Sequence, residues 1–163
     1  METKTITSVI KVCSYEELSE DDQRLVDLAK EGTHRSYSPY SRFSVGAAVA
    51  LENGEILIGC NQENAAFGVT ICAERSALFA AGAQYPDVPV KAIAIAARNA
   101  DGFLKSPVTP CGSCRQSMIE TETRYRHKLH ILLYGLDCIY VIDGISTLIY
   151  RLRRKVCIGK PSP

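Results

Sequence analysis

Apolar residues recur along this chain with two different periods, and the periods predict a series of strands and helices. Alternation every second residue, or a short continuous apolar run, indicates a strand, whereas a spacing of three to four residues indicates a helix. On this basis strands are predicted at residues 3–12, 43–51, 55–59, 90–97, 130–134 and 139–142. Helices are predicted at residues 19–32, 72–84, 111–123 and 145–152. The resulting order, βαββαβαββα, predicts a layered α/β domain with a mixed sheet.

Local signals at the ends of these segments support several of the boundaries. Ser19 stands before two aspartates and an apolar stripe, which is typical of a helix start. Asn53 and Gly54 lie between two apolar segments and form the strongest short-range signal for a hairpin. The continuous apolar run over 90–97 is typical of a strand covered on both faces. That strand is therefore predicted to lie in the middle of the sheet.

Length, composition and charge limit the class of protein. The chain has 163 residues, of which 46% are hydrophobic and 23% charged, and a single globular domain over residues 1–163 is expected. A signal-peptide pattern and a run of about 18 apolar residues are both missing, so we expect a cytoplasmic protein without membrane contact. The formal charge of +1 provides no general field to attract nucleic acid, so no nucleic-acid partner is predicted.

The cysteines point to metal chemistry. The chain has seven cysteines, which is an odd number, and it has no secretory signal pattern. Both observations favour free thiols or metal ligands over a disulfide framework. Four stand alone among apolar neighbours, as small buried residues do: Cys13, Cys60, Cys138 and Cys157. The other three lie in the patterns Cys72-Ala73-Glu74-Arg75 and Pro110-Cys111-Gly112-Ser113-Cys114-Arg115-Gln116. A C-x-x-C pair alone would also be consistent with a redox pair or half of a structural zinc site.

Three thiolates without an obvious fourth ligand predict a zinc site with one open position, which can hold water. His34, His127 and His130 could complete a closed site, but each lies in a separate segment. Both cysteine groups fall at predicted helix starts, where free backbone N–H groups and the helix dipole stabilise thiolates. Glu74 follows a ligand by two positions and can reach the open position to move protons. Arg75 can offset the excess negative charge of three thiolates, or it is an ordinary surface arginine.

These segments resemble the small homotetrameric cytidine deaminases, and the similarity covers about residues 37–116. Residues 38–48, Ser-Pro-Tyr-Ser-Arg-Phe-Ser-Val-Gly-Ala-Ala, resemble the first motif of that family. Residues 59–65, Gly-Cys-Asn-Gln-Glu-Asn-Ala, resemble its ribose-binding segment. The resemblance implies a three-layer α/β/α cytidine-deaminase-like fold with a mixed central sheet of about five strands. It also implies bound Zn²⁺ and a homotetramer with shared active sites.

The resemblance further implies a reaction, the zinc-dependent hydrolytic deamination of cytidine and 2′-deoxycytidine to uridine and 2′-deoxyuridine with release of ammonia, a step of pyrimidine salvage. The implied metal ligands are Cys72, Cys111 and Cys114, with Glu74 as the catalytic residue and Arg75 as the charge-balancing one. The implied substrate contacts are Phe43 on the pyrimidine, Asn61 and Glu63 on the ribose 3′-hydroxyl, and the Ala73 backbone on the base. A carboxylate at Glu63 would also disfavour 5′-phosphorylated substrates.

Several alternatives stay open at this stage. Phe43 could be a core residue, and Asn61 and Glu63 could hold turns. The chain could deaminate another aminopyrimidine nucleoside such as blasticidin S, or be a structural zinc or dithiol module without catalysis. Residues 67–71 vary in the family, so their role is open. Residues 150–163 depart from the family's usual ending, and either a divergent amphipathic helix or a late reading-frame shift in the gene would account for this.

Overall fold

A computed structural model describes residues 1–3 and 8–148 of the chain. Its strands are β1 (Lys11–Cys13), β2 (Ser44–Leu51), β3 (Ile56–Cys60), β4 (Val90–Asn99), β5 (Gly102–Phe103), β6 (His130–Tyr134) and β7 (Ile139–Asp143). Its α-helices are α1 (Glu20–Gly32), α2 (Ala73–Gln84) and α3 (Gly112–Tyr125). Single 3₁₀ turns lie at Tyr15–Glu17, Thr33–Arg35, Phe67–Val69 and Ile145–Thr147.

All of these strands belong to one mixed sheet, as predicted. The order across it is β1-β7-β6-β4-β2-β3, and the short β5 pairs beside β4. The pairing of β4 with β6 is parallel, and the other described pairings are antiparallel. Six strands therefore form the continuous order and β5 is a seventh, compared with the expected number of about five. The two residues of β5 are too few to produce a periodic pattern in the sequence.

Strand β4 lies in the middle of the sheet and is buried on both faces, as its continuous apolar run predicted. Ile93 and Ile95 belong to the core that includes residues of α2 and α3. The alternate residues of β4 are alanines, and they belong to the core that includes residues of α1. Successive strand residues point to opposite faces, so these two cores lie on opposite sides of the sheet. The three-layer α/β/α architecture is therefore confirmed.

A close approach of α2 to the sheet positions the cysteine-bearing end of this helix. A Cβ atom added to Gly59 on β3 would lie 2.4 Å from the backbone nitrogen of Ala77 and 2.5 Å from the carbonyl oxygen of Ala73. Both of these residues lie in α2, so the helix packs directly on the strand backbone. Cys72 immediately precedes the helix and is therefore held in place by this contact.

The two ends of the chain only partly test the sequence predictions. The strand expected over 3–12 is observed as Lys11–Cys13 at one edge of the sheet, and residues 4–7 lie outside the described residues. Of the helix expected over 145–152, the described part contains a 3₁₀ turn at Ile145–Thr147. The predictions for residues 150–163, and for one domain over the full length, extend beyond the described residues and stay predictions. Among the described helices, none is both long enough and apolar enough to cross a membrane.

Candidate metal centre and active site

Three cysteine sulfurs meet at the N-terminal ends of α2 and α3. The Sγ atoms of Cys72 and Cys111, 39 positions apart in sequence, are 3.8 Å apart. The Sγ atoms of Cys111 and Cys114 are 3.4 Å apart, and all three lie within 4.8 Å of one another. Zn–S bonds of about 2.3 Å in a tetrahedral arrangement place sulfurs about 3.8 Å apart. The donor set and its spacing therefore fit zinc.

The cluster contains three protein ligands and no fourth. In the described part of the chain it is the single group of three or more metal-ligating side chains close enough to share an ion. The structure places none of the three histidines in this group, so the closed-site alternative receives no support. A zinc ion with three protein ligands keeps one position for water or substrate, which is the arrangement of catalytic rather than structural zinc sites.

Both cysteine groups occupy helix starts, as the sequence predicted. Cys72 is the residue that caps the N-terminus of α2, and Cys111 caps α3. Cys114 lies one turn further into α3 and is buried, whereas Cys111 is exposed. Unpaired backbone N–H groups at these ends carry partial positive charge. The helix ends therefore favour the thiolate forms that bind metal.

Arg75 lies beside the sulfur cluster. Its Nη2 atom is 3.8 Å from the Sγ of Cys72 and donates a hydrogen bond to the carbonyl oxygen of Thr70 at 3.4 Å. The pKa of the Cys72 thiol is lowered to about 5, because its thiolate accepts a hydrogen bond from Cys114 and is close to Arg75. The same contact raises the pKa of Cys114. Arg75 therefore lies where its positive charge is next to a thiolate, and its charge-balancing role stays a prediction.

Glu74 lies in the first turn of α2 and is only 5% exposed. Burial raises the pKa of this carboxyl group to about 6, and the neighbouring Cys72 thiolate contributes to the shift. A carboxyl group that titrates near neutral pH can both accept and release a proton under working conditions. Ala73, between Cys72 and Glu74, is fully buried.

The segment with Asn61 and Glu63 is hydrogen-bonded to the chain next to the metal cluster. The backbone of Gln62 pairs with that of Ile71, with N–H···O distances of 3.0 and 3.1 Å. Ile71 immediately precedes Cys72. On its other side the segment pairs with Tyr37, whose carbonyl oxygen accepts from the Glu63 N–H at 2.8 Å. The residues expected to bind the ribose are therefore brought next to the metal ligands.

Asn61 and Glu63 both hold the loop over residues 36–43. The Asn61 Oδ1 accepts from Ser36 Oγ at 2.6 Å and from the Val45 N–H at 2.8 Å, and its Nδ2 donates to the Phe43 carbonyl at 2.9 Å. Oε2 of Glu63 accepts from the backbone N–H groups of Tyr40 and Ser41 at 2.9 and 3.2 Å.

These contacts have consequences for the expected substrate residues. Hydrogen bonds from Ser41, and then from Tyr40, lower the pKa of Glu63, so its carboxylate is negatively charged at neutral pH. The turn-holding alternative for Asn61 and Glu63 is thus realised in the structure, while one amide N–H of Asn61 has no hydrogen-bond partner among the described residues. Phe43 is half-buried immediately before β2, which leaves part of the residue accessible.

Comparison with known families supplies the deciding observation. Residues 19–127 match the family described as the cytidine and deoxycytidylate deaminase zinc-binding region. The chain belongs to this family. The matched residues include all three cysteines of the cluster, and in this cytidine deaminase family member the cluster is the zinc-binding site.

Individual relatives and solved structures agree with the family assignment. A cytidine deaminase of Halalkalibacterium halodurans is 46% identical over 100 residues, which cover 61% of this chain and 71% of the relative. A probable cytidine deaminase of Dictyostelium discoideum is 38% identical over 129 residues, covering 72% of this chain and 84% of the relative. The crystal structure of a cytidine deaminase from Burkholderia pseudomallei superposes with a TM-score of 0.67 at 34% identity, covering 83% of this chain and 100% of that one.

Sequence reasoning missed several groups that the structure places around this cytidine deaminase site. The hydroxyl groups of Ser36, Ser38 and Ser44 form a connected set beside Asn61. The rings of Tyr40 and Phe67 are 6.1 Å apart, and Phe67 is 71% exposed. The density of serine between residues 36 and 44 was a signal for the first group. The second depends on a contact across the fold that no local pattern reveals.

Proposed function

We propose that this chain is a zinc-dependent hydrolase that deaminates cytidine and 2′-deoxycytidine to uridine and 2′-deoxyuridine with release of ammonia. The observation that carries the proposal is the group of three cysteine sulfurs within zinc-binding distance, adjacent to the buried carboxyl group of Glu74. The metal site supplies Lewis acidity and the carboxyl group supplies proton transfer. These are the two functions that hydrolysis of an aminopyrimidine requires.

Glu74 is the proton carrier in this proposal. Zinc, when bound, lowers the pKa of a water molecule to about 7, so that it can act as a nucleophile at neutral pH. Glu74 takes one proton from the attacking water as its oxygen adds to C4 of the pyrimidine, and delivers that proton to N3. Glu74 then carries the remaining proton of the added hydroxyl group to the exocyclic amine, so that the C4–N bond breaks, ammonia leaves and a carbonyl group forms at C4. A raised pKa suits Glu74 to both accepting and returning protons.

The other residues of the site bind and balance charge. Arg75 offsets the negative charge of the three thiolates, since it lies next to Cys72. Phe43 packs against the pyrimidine ring, and the backbone of Ala73 hydrogen-bonds to the base. Asn61 and Glu63 bind the ribose 3′-hydroxyl with the groups that the loop over residues 36–43 leaves available.

The proposal includes a homotetramer with shared active sites. Large apolar side chains are exposed near the Glu63 segment and on the outer faces of α2 and α3: Tyr37, Tyr40, Phe67, Val69, Phe79 and Ile119. Exposed apolar surface of this kind is typical of protein–protein contacts. Light scattering on the purified protein measures the assembly directly. A cytoplasmic location stays a prediction from the sequence, which cell fractionation would check.

An ultraviolet assay with purified protein tests the function. The zinc-loaded protein should convert cytidine to uridine, and activity should disappear after chelation and return when zinc is added back. The variant Cys13→Ser should lose and regain activity as the wild type does, because this cysteine lies in β1 at the sheet edge and outside the metal cluster. Turnover of blasticidin S without turnover of cytidine would support the other nucleoside deaminase. Stoichiometric zinc without ammonia release from either would indicate a structural zinc module.

A further inference from the structure

The side-chain amide of Asn61 has a fixed orientation. One of its ends is 2.8 Å from the N–H of Val45, which can only donate, and the other is 2.9 Å from the carbonyl oxygen of Phe43, which can only accept. The first end must therefore be Oδ1 and the second Nδ2. Asn61 is 9% exposed, so both assignments matter energetically.

This orientation determines the direction of the hydrogen bond between Ser36 and Asn61. Ser36 Oγ lies 2.6 Å from Asn61 Oδ1, and because that oxygen can only accept, Ser36 must donate its single proton to it. Ser36 Oγ is 3.1 Å from Ser38 Oγ, which in turn is 3.1 Å from Ser44 Oγ. With the Ser36 proton committed to Asn61, Ser36 and Ser38 remain in close contact, and either Ser38 or Ser44 donates in the hydrogen bond between them. Of these three hydroxyl groups, the one that bonds to the Asn61 side chain is that of Ser36.

One N–H of Asn61 remains for a ligand. Oδ1 accepts two hydrogen bonds and Nδ2 donates one, to Phe43, with no second acceptor recorded in the described part of the chain. Asn61 can thus offer a donor to a ligand but no acceptor. Glu63 has the opposite hydrogen-bonding role, because its ionised carboxylate can only accept hydrogen bonds. A single sugar hydroxyl satisfies both residues by accepting from Asn61 and donating to Glu63.

We propose that Ser36 is a positioning residue for substrate binding, which holds the Asn61 amide so that its remaining N–H is directed to a sugar hydroxyl. The inference rests on the proposed function, because it needs a nucleoside in the site. Ser36 itself does not contact the substrate. Its hydrogen bond to Oδ1 restricts the rotation of the Asn61 side chain, and this restriction lowers the entropic cost of forming the substrate hydrogen bond.

The test compares cytidine with 3′-deoxycytidine, which lacks the hydroxyl group, using the full-length zinc-loaded enzyme. Ser36→Ala should lower kcat/KM for cytidine by roughly 3- to 10-fold, mainly through KM, which is the effect of one hydrogen bond. For 3′-deoxycytidine the same substitution should change kcat/KM less than about twofold, because the positioned N–H has no partner there. Ser36→Thr keeps a hydroxyl group and should restore most of the loss. Zinc content and Tm should match the wild type.

Two further variants separate positioning from a general effect on folding. Ser38→Ala removes the hydroxyl group next to Ser36 but leaves the Ser36–Asn61 bond, so the loss of kcat/KM on cytidine should be smaller. Ser14→Ala, at the β1 edge of the sheet and far from β3, should behave as wild type. Equal losses on both nucleosides, or no loss on cytidine, would overturn the role of Ser36 while leaving the deaminase assignment intact. A wild-type enzyme inactive on cytidine would overturn both.

Discussion

The carboxyl group of Glu74 differs from that of a surface glutamate in two ways. It is buried, and it lies two positions after Cys72, whose thiolate is close by, so both solvent exclusion and local negative charge disfavour its ionised form. Both factors raise the pKa to about 6, close to the pH at which a proton carrier works best. Burial next to the metal ligands, rather than the identity of the residue alone, thus gives Glu74 the raised pKa that the proposed proton transfer requires.

Glu74→Gln should abolish most activity without loss of zinc. The amide has nearly the same shape but cannot accept and return a proton, so kcat should fall by roughly 10²- to 10⁴-fold. Zinc content, measured by atomic absorption, should stay at the wild-type level because Glu74 is not among the three cysteine ligands. Glu52→Gln, an exposed carboxylate in the hairpin turn, is the matched control. Near-normal turnover in the Glu74→Gln variant would show that Glu74 is not the proton carrier.

Glu63 leads to a prediction about substrate charge. Its carboxylate is fixed by the backbone N–H groups of Ser41 and Tyr40, which lower its pKa and keep it ionised. A fixed negative charge beside the sugar repels a phosphate. Cytidine should therefore be turned over with a higher kcat/KM than its 5′-monophosphate. Glu63→Gln should reduce the ratio of these two kcat/KM values. A preference for the monophosphate in the wild-type enzyme would contradict this.

The sequence revealed the residues of the metal site more completely than those of the sugar site, for a physical reason. Cys72, Cys111 and Cys114 have side-chain chemistry that stands out in any context, and their helix starts could be predicted from neighbouring residues. The role of Ser36 depends on the orientation of Asn61, which is set by two backbone groups of β2 and the loop before it. Such an orientation exists only after the chain has folded.

At the scale of elements, the packing of α2 on β3 controls the position of a metal ligand. Gly59→Ala would place a methyl group 2.4 Å from the nitrogen of Ala77 and 2.5 Å from the oxygen of Ala73, and backbone atoms cannot move aside individually. The helix must shift, which should cost roughly 1–3 kcal/mol of stability and displace Cys72. Urea unfolding and zinc content measure the two effects. Gly82 lies in α2, and Gly82→Ala adds only a contact at 3.7 Å with Arg124. This variant should keep the stability and the zinc content of the wild type.

The edge strand β1 is joined to β7 by an ion pair that should depend on pH. Asp143 lies 3.2 Å from His130 and 3.1 Å from Lys11, and these contacts lower the pKa of its carboxyl group, with His130 the larger cause. A lowered carboxyl pKa adds stability above the unfolded-state pKa of about 3.9, and this stability is lost as the pH falls through the folded-state value. The contribution is small because these groups are largely exposed.

Asp143→Asn tests this dependence. The variant should unfold at a lower urea concentration than the wild type at pH 6, and the difference between the two proteins should shrink as the pH falls below the unfolded-state pKa of about 3.9 and the wild-type carboxyl group becomes protonated. Both proteins are compared at the same pH, so that loss of zinc in acid affects each of them. Glu52→Asn, in an exposed turn, serves as the control for removing one negative charge. A difference that grows toward acid pH would contradict the assignment.

For the whole molecule, the order of strands could not be predicted from the pattern of residues, although the order of elements along the chain could. The apolar run of β4 predicted a position inside the sheet, but its neighbours, antiparallel β2 and parallel β6, follow from how the helices cover the two faces. Alanines on one face of β4 allow α1 to approach closely, and isoleucines on the other fill the space beneath α2 and α3. Side-chain volume on the two faces thus matches the layers.

The same architecture makes zinc a structural link between distant parts of the chain. Cys72 begins α2, while Cys111 and Cys114 begin α3, and the metal would join helix ends separated by β4 and β5 in the sequence. A ligand that binds the folded state alone stabilises it, by about 4 kcal/mol at a thousandfold excess over Kd. Chelation should therefore lower the Tm by roughly 5 to 15 °C, measured by calorimetry.

Cys111→Ser supplies the control for this prediction. Cys111 is exposed, so the substitution removes a ligand with little loss of packing. The variant should start from the lower Tm of the chelated wild type and respond little to chelator or added zinc. Because both proteins keep the same sheet and helices, the difference between them isolates the contribution of the metal link. A wild-type Tm unaffected by chelation, despite loss of measured zinc, would show that α2 and α3 are held by packing alone.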